Sequence, residues 1–171
     1  MKTRFSSTEG RFFPSGKPQI TKLIKKLEMA SRYPLEDFTV KQLYGAVLPH
    51  AGHIYSGHQT LPYFHLLKGM EHIPETFIII HPNHHGAGPA VAIDESELWR
   101  TSLGEVPVDR ELAECLDLPM SSRAHNGEHS AEVLIPFLQY FLEELTFKIV
   151  PICMKDQSYL QSVHVAEKVH H

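Results

Sequence analysis

Residues 76–86 read Thr76-Phe77-Ile78-Ile79-Ile80-His81-Pro82-Asn83-His84-His85-Gly86, an apolar run that stops at a histidine-rich turn. Consecutive β-branched and aromatic residues bounded by Pro, Asn and Gly predict a strand covered on both faces. In an open α/β sheet, ligands bind outside the carboxyl ends of strands. His84 and His85 are therefore expected where chemistry is usually done.

A second stretch repeats the layout. Leu43-Tyr44-Gly45-Ala46-Val47-Leu48 predicts another buried strand and stops at Pro49-His50-Ala51-Gly52. A third apolar run, residues 147–152, predicts a strand, as do the shorter segments 90–93 and 97–102. Ile20, Leu23, Ile24 and Leu27 follow i, i+3, i+4, i+7, which predicts an amphipathic helix starting at Pro18 and ending before Pro34. Helical spacing recurs over 57–67, where Pro62 implies a kink or a late start. A short helix capped by Asp109 is expected over 107–116, a longer one from about 130 to 145, and a last one over 157–169. The turn-rich segment 9–16, with Phe12 and Phe13, is expected to pack across the domain. Alternation of this kind points to an α/β domain, 1–171, with a mainly parallel sheet flanked by helices.

Composition narrows the function. A net charge of −4 with scattered Lys and Arg offers no basic patch, so neither nucleic acid nor an anionic membrane is an expected partner. No apolar run approaches the roughly 18 residues of a membrane span, and the start leads into no signal-peptide core, so a cytoplasmic location is expected. The two cysteines, Cys115 and Cys153, form no CxxC pair and are expected to be small buried groups. The excess is in histidine, with 13 in 171 residues, which favours a metal site. GxGxxG, P-loop, GxSxG and HExxH motifs are absent.

Parallel strands ending at Leu48 and Ile80 would deliver His50 and His84 to one sheet edge, where two imidazoles make a partial site for iron, copper or zinc. Their separation of 34 residues is no local metal motif, and from spacing alone each is more simply read as capping a turn or hydrogen-bonding a neighbouring backbone. His129 precedes a helix, where the dipole favours anions and lowers an imidazole's pKa. With Glu128 it could act as general acid or base, hold an anionic group, or merely cap the helix. His53, His58, His65, His72, His125 and His164 are expected at the surface or the core edge, and His81 and His85 receive no role.

Three segments together carry a resemblance. Leu48-Pro49-His50-Ala51-Gly52-His53-Ile54-Tyr55-Ser56-Gly57, Pro82-Asn83-His84-His85-Gly86 and Glu128-His129-Ser130-Ala131-Glu132-Val133-Leu134-Ile135-Pro136-Phe137-Leu138 resemble the Memo family, also called AmmeMemoRadiSam system protein B. Glu9-Gly10-Arg11-Phe12-Phe13-Pro14 and Trp99-Arg100-Thr101-Ser102-Leu103-Gly104 follow in matching order. The resemblance implies a fold similar to class III extradiol dioxygenases, with His50 and His84 as metal ligands and His129 as an active-site residue. It implies a divalent transition metal, foremost iron, with copper or zinc as alternatives, and redox or oxygen-dependent chemistry on an unknown substrate. A functional link to a radical-SAM protein is a further implication. Family members run longer, and their later part carries a Ser-Ser-Asp strand end with a histidine, and the cysteine that is the third ligand. The chain is thus expected to be truncated relative to the family at its C-terminus. Competing readings are a non-catalytic module for an anionic peptide or small ligand, and an inactive truncated product.

Overall fold

The computed structural model describes residues 2–31, 33 and 43–170. The chain opens with β1 (Thr3–Phe5), then α1 (Lys17–Met29), α2 (His53–Lys68) and β2 (Thr76–Pro82). β3 (Val91–Ile93), β4 (Leu98–Thr101), β5 (Gly104–Pro107), α3 (Arg110–Cys115) and α4 (Ser122–His125) follow. A 3₁₀ turn (Glu132–Leu134), α5 (Ile135–Phe141), β6 (Lys148–Met154) and α6 (Tyr159–His170) complete the order.

Among the described residues the result is a mixed α/β fold with two small sheets, ordered β1-β4-β5 and β2-β6-β3. Each has one parallel ladder, β1 with β4 and β2 with β6, and one antiparallel ladder, β4 with β5 and β3 with β6. The sheets are therefore mixed rather than mainly parallel. In the first sheet the reason is local: Ser102-Leu103 is short enough to close a hairpin between β4 and β5, and a hairpin can only be antiparallel.

β6 is central in its sheet and buried from Ile149 to Met154. Its side chains alternate between two cores. Ile149 packs with Ile20, Ile24, Leu61, Phe64 and Phe137, whereas Val150 and Ile152 pack with Val91, Leu116 and Val165. Full burial of each such side chain stabilises by about 1.5–3 kcal/mol. In α1, the fully buried Ile20 and Ile24 confirm the predicted apolar face. The helix ends at Met29, and Pro34 lies outside the described residues. α1 meets α2 at Gly57, where a Cβ would stand 2.6 Å from Leu27 Cδ1, so the helices pack against a bare backbone.

Elsewhere the structure departs from expectation. Residues 43–48 form no strand; Tyr44 is 90% exposed and no ladder reaches them. An apolar run becomes a strand only when a neighbour supplies hydrogen bonds, and among the described residues β2 is paired on one side alone, by β6. α2 starts earlier than predicted and runs continuously through Pro62. Pro136 lies in the first turn of α5, where its missing N–H costs nothing, so the predicted long helix becomes a 3₁₀ turn followed by a shorter helix. Asp109 caps α3 as expected, accepting from Leu112 N at 3.1 Å. Cys153 is buried but Cys115 is exposed. Among the described residues no helix is long and apolar enough to cross a membrane.

Candidate metal centre

β2 ends at Pro82 and the chain turns at once. Asn83 N donates to Met154 O (3.0 Å), Asn83 Nδ2 donates to Ala87 O (2.7 Å), and Asn83 Oδ1 accepts from His85 N (3.2 Å). This Asx turn sets the direction of His84. Its backbone N–H donates to Glu128 Oε2 at 2.7 Å, and its Nδ1 lies 2.9 Å from Glu128 Oε1. A carboxylate only accepts, so His84 Nδ1 carries a proton, and in the neutral ring the lone pair is on Nε2.

Glu128 organises the site. Its side chain is 1% exposed and also accepts from His129 N (2.9 Å), Ser130 N (3.0 Å) and Ser130 Oγ (2.9 Å). Burial alone would raise this carboxyl's pKa. The hydrogen bonds from His84 and Ser130 favour the anion more strongly and bring it down to about 2.

His50 approaches from the segment before α2. His53 N donates to Phe12 O (2.8 Å), and a Cβ on the N-cap Gly52 would lie 3.1 Å from that carbonyl. The 9–16 segment thus reaches across the domain as expected, and Phe12 stacks on His129 with ring centroids 4.1 Å apart. The imidazoles of His50, His84 and His129 converge, with centroid separations of 5.3 Å, 5.9 Å and 4.6 Å for His50–His84, His50–His129 and His84–His129. One nitrogen from each lies within 4.8 Å of the others. Burial, reinforced by the charge of His84, lowers the pKa of His50. Burial also lowers that of His129 despite the opposing Glu128 charge. Both are neutral at pH 7, the protonation state that ligates metals.

A buried ion pair holds the loop that carries Glu128 and His129. Arg4 Nη1 lies 2.6 Å from Glu132 Oε2, and Arg4 Nη2 donates to His125 O (3.0 Å) and Glu128 O (2.9 Å). Its guanidinium sits 4.0 Å from the Trp99 ring centroid. Glu132 in turn accepts from Ser6 Oγ, Thr8 N and Thr8 Oγ1. Nothing in the sequence alone joins Arg4 to a carboxylate on the far side of the chain.

The profile of the Memo-like protein family matches residues 4–171. The chain belongs to that family. Memo-family relatives include MEMO1 family proteins of Pyrobaculum aerophilum (37% identical over 169 residues, covering 92% of this chain and 58% of the relative) and Methanocaldococcus jannaschii (36% over 176 residues, 96% and 61%). A third, from Archaeoglobus fulgidus, is 37% identical over 169 residues, 97% of this chain and 59% of the relative. The chain spans about three-fifths of the length of the curated Memo-family relatives it matches.

Other histidines fall differently from expectation. His53 and His125 are fully buried rather than peripheral. His53 donates from Nε2 to Val133 O (2.7 Å) and packs against Phe13 and Phe137. His81, assigned no role, is buried beside His125 and Cys153. The available signal was the strand pattern itself, because β2 and β6 in register place His81 opposite Cys153.

Proposed function

We propose that this Memo-family chain carries a non-haem metal centre in which His50 and His84 bind a divalent transition metal and His129 serves as the acid–base residue. The observation behind it is the convergence of three imidazole nitrogens within 4.8 Å, with a buried carboxylate behind one of them. Neutral imidazoles suit iron, copper and zinc, and iron is the preferred assignment. When bound, such a metal supplies redox or oxygen-dependent chemistry. The fold is read as dioxygenase-like, with further ligands outside the stretch of the relatives that this chain matches.

The chain's own residues have separable tasks. Glu128 holds the His84 proton at Nδ1, which aims Nε2 into the cleft and raises its basicity. His129 Nδ1 lies 3.3 Å from the same Glu128 oxygen, so His129 Nε2 is the atom placed to accept a proton from a bound substrate. Phe12 fixes the His129 ring from below. The substrate in this reading is a small molecule or peptide, the setting cytoplasmic, and the functional partner a radical-SAM protein. The alternative of a pure anion-binding module is supported less, because His50 and His129 are held neutral rather than cationic.

Iron, copper and zinc analysis of the purified protein, beside His50→Ala, His84→Ala and His129→Ala, tests the reading. Wild type is expected to hold metal, the first two variants to lose it, and His129→Ala to keep it. Stoichiometric metal that survives both His50→Ala and His84→Ala would overturn the assignment. Metal-free protein that binds a phosphopeptide through His129 would favour the alternative.

A further inference from the structure

Behind the outer histidines lies a second group. In-register parallel neighbours send their side chains to the same face of a sheet, so His81 on β2 and Cys153 on β6 share one face. His125, the last residue of α4, closes over them, with its ring centroid 5.1 Å from that of His81. One donor atom from each of His81, His125 and Cys153 lies within 4.8 Å of the others. A three- or four-coordinate metal with bonds of about 2.0–2.3 Å needs donors roughly 3.3–3.8 Å apart. A small inward adjustment of side chains satisfies that. His81 is 4% exposed, and His125 and Cys153 are 0% exposed.

The hydrogen bonds settle both tautomers. His125 Nε2 lies 3.1 Å from Ala92 O, a pure acceptor, so Nε2 carries the proton and Nδ1 the lone pair. His81 Nδ1 lies 2.8 Å from Ser130 Oγ. The single Ser130 hydroxyl proton is already directed at Pro82 O (2.9 Å) or Glu128 Oε1 (2.9 Å), which only accept. Ser130 Oγ must therefore accept from His81 Nδ1–H, and the lone pair of His81 is on Nε2. These same two atoms, His81 Nε2 and His125 Nδ1, are buried without any hydrogen-bond partner. An unpartnered buried nitrogen is costly in an interior where nearly all polar atoms are satisfied; His53 Nδ1 and His65 Nε2 also lack a hydrogen-bond partner, but only His81 and His125 share their pocket with a thiol. Metal-binding imidazoles are held in this way, the other N–H given to a carbonyl or hydroxyl.

We propose that His81 Nε2, His125 Nδ1 and Cys153 Sγ form a buried site for one monovalent copper ion, separate from the His50–His84–His129 centre. A thiolate with two imidazoles is a soft donor set that suits Cu(I). Charge makes the same choice: thiolate and Cu(I) cancel, leaving a neutral unit in a dry pocket. Divalent zinc would call for a fourth ligand, and these three side chains supply only three. Binding replaces the Cys153 S–H bond by a Cu–S bond and releases the proton to solvent, with no change of oxidation state. Burial pushes the free Cys153 thiol up to about 12, so without metal it is a protonated, unreactive group that donates to Ala124 O at 3.4 Å. None of this depends on how the outer centre is used.

The test uses the full chain carrying His50→Ala, His84→Ala and His129→Ala, so that the outer centre is silent. Anaerobic titration with Cu(I) against a chromophoric chelator is expected to fill one site, and X-ray absorption of the complex to show one sulfur and two nitrogen neighbours. Adding Cys153→Ser is expected to weaken Cu(I) by at least about 100-fold, while Cys115→Ser leaves it unchanged. Four results would overturn the proposal: no uptake, uptake that survives Cys153→Ser, sulfur scattering lost with Cys115→Ser, or zinc preferred in direct competition. The X-ray absorption result stands on the unaltered Cys153 protein, and so decides the matter even if Cys153→Ser does not fold.

Discussion

Ser130 and Glu128 stand between two histidine clusters that differ in what holds their second nitrogens. In the outer cluster the His84 proton is held by a buried carboxylate, and the His84 side chain is 41% exposed. In the inner cluster the protons of His81 and His125 go to a hydroxyl and a carbonyl, and all three side chains are buried. A carboxylate behind an imidazole adds negative charge, which favours a divalent ion, and the exposed rim leaves room for a substrate. The inner cluster would instead place a soft thiolate sulfur directly among the ligands, which favours a soft monovalent ion, and the closed pocket excludes substrate. The same residue type therefore serves two environments, and its partners decide which.

The largest effect is expected at Glu128. Glu128→Ala leaves the N–H groups of His84, His129 and Ser130 without their acceptor and frees the His84 ring. A stability loss of about 3 kcal/mol by urea denaturation is expected, with metal affinity at the outer cluster falling about 10–100-fold. Cu(I) affinity at the inner cluster should change far less, because Ser130 can still accept from His81. Equal losses at both would show that the clusters are one site.

Acid sensitivity separates them next. His81 is lowered to about 3, by burial first and then by the neighbouring His125 charge, against about 6.5 in the unfolded chain. The unfolded state thus takes up the proton first, and stability present above pH 6.5 is lost as pH falls from there towards 3. By pH 5 this amounts to about 2 kcal/mol from His81 alone. His53, lowered to about 4 by burial, adds a similar loss. His81→Leu should flatten the metal-free stability profile between pH 7.5 and 5 by that amount, and His129→Ala by less, since His129 is nearer the rim. Equal flattening would mean that burial does not distinguish the two clusters.

How much of this was legible beforehand depends on whether the cause was local. β2 and β6 could be read because unbroken β-branched runs with turn residues at their ends have few alternatives, and α1 because Ile20 and Ile24 recur at helical spacing. Residues 43–48 have the same local character and yet form no ladder, because pairing is a property of a neighbour, not of the segment. His50, His84 and His129 were named together only through family resemblance; spacing of 34 residues carries no geometry. The buried pair of Arg4 and Glu132, and the trio of His81, His125 and Cys153, join residues far apart in the chain. For His81 and Cys153 the signal existed only as the register between β2 and β6, whereas Arg4, His125 and Glu132 lie on other elements that no local pattern brings together.

The smallest effect is expected at His85, and it bounds the outer cluster. His85 follows His84 directly, yet it is exposed and its Nε2 reaches away to Gly127 O at 3.0 Å. A hydrogen bond open to water contributes little net stability, because water replaces it at once. His85→Ala should change the urea midpoint by less than about 0.5 kcal/mol of stability and leave the metal content unchanged. If instead His85→Ala releases the metal, His85 is a ligand beside His50 and His84, and the boundary drawn around the outer cluster is wrong.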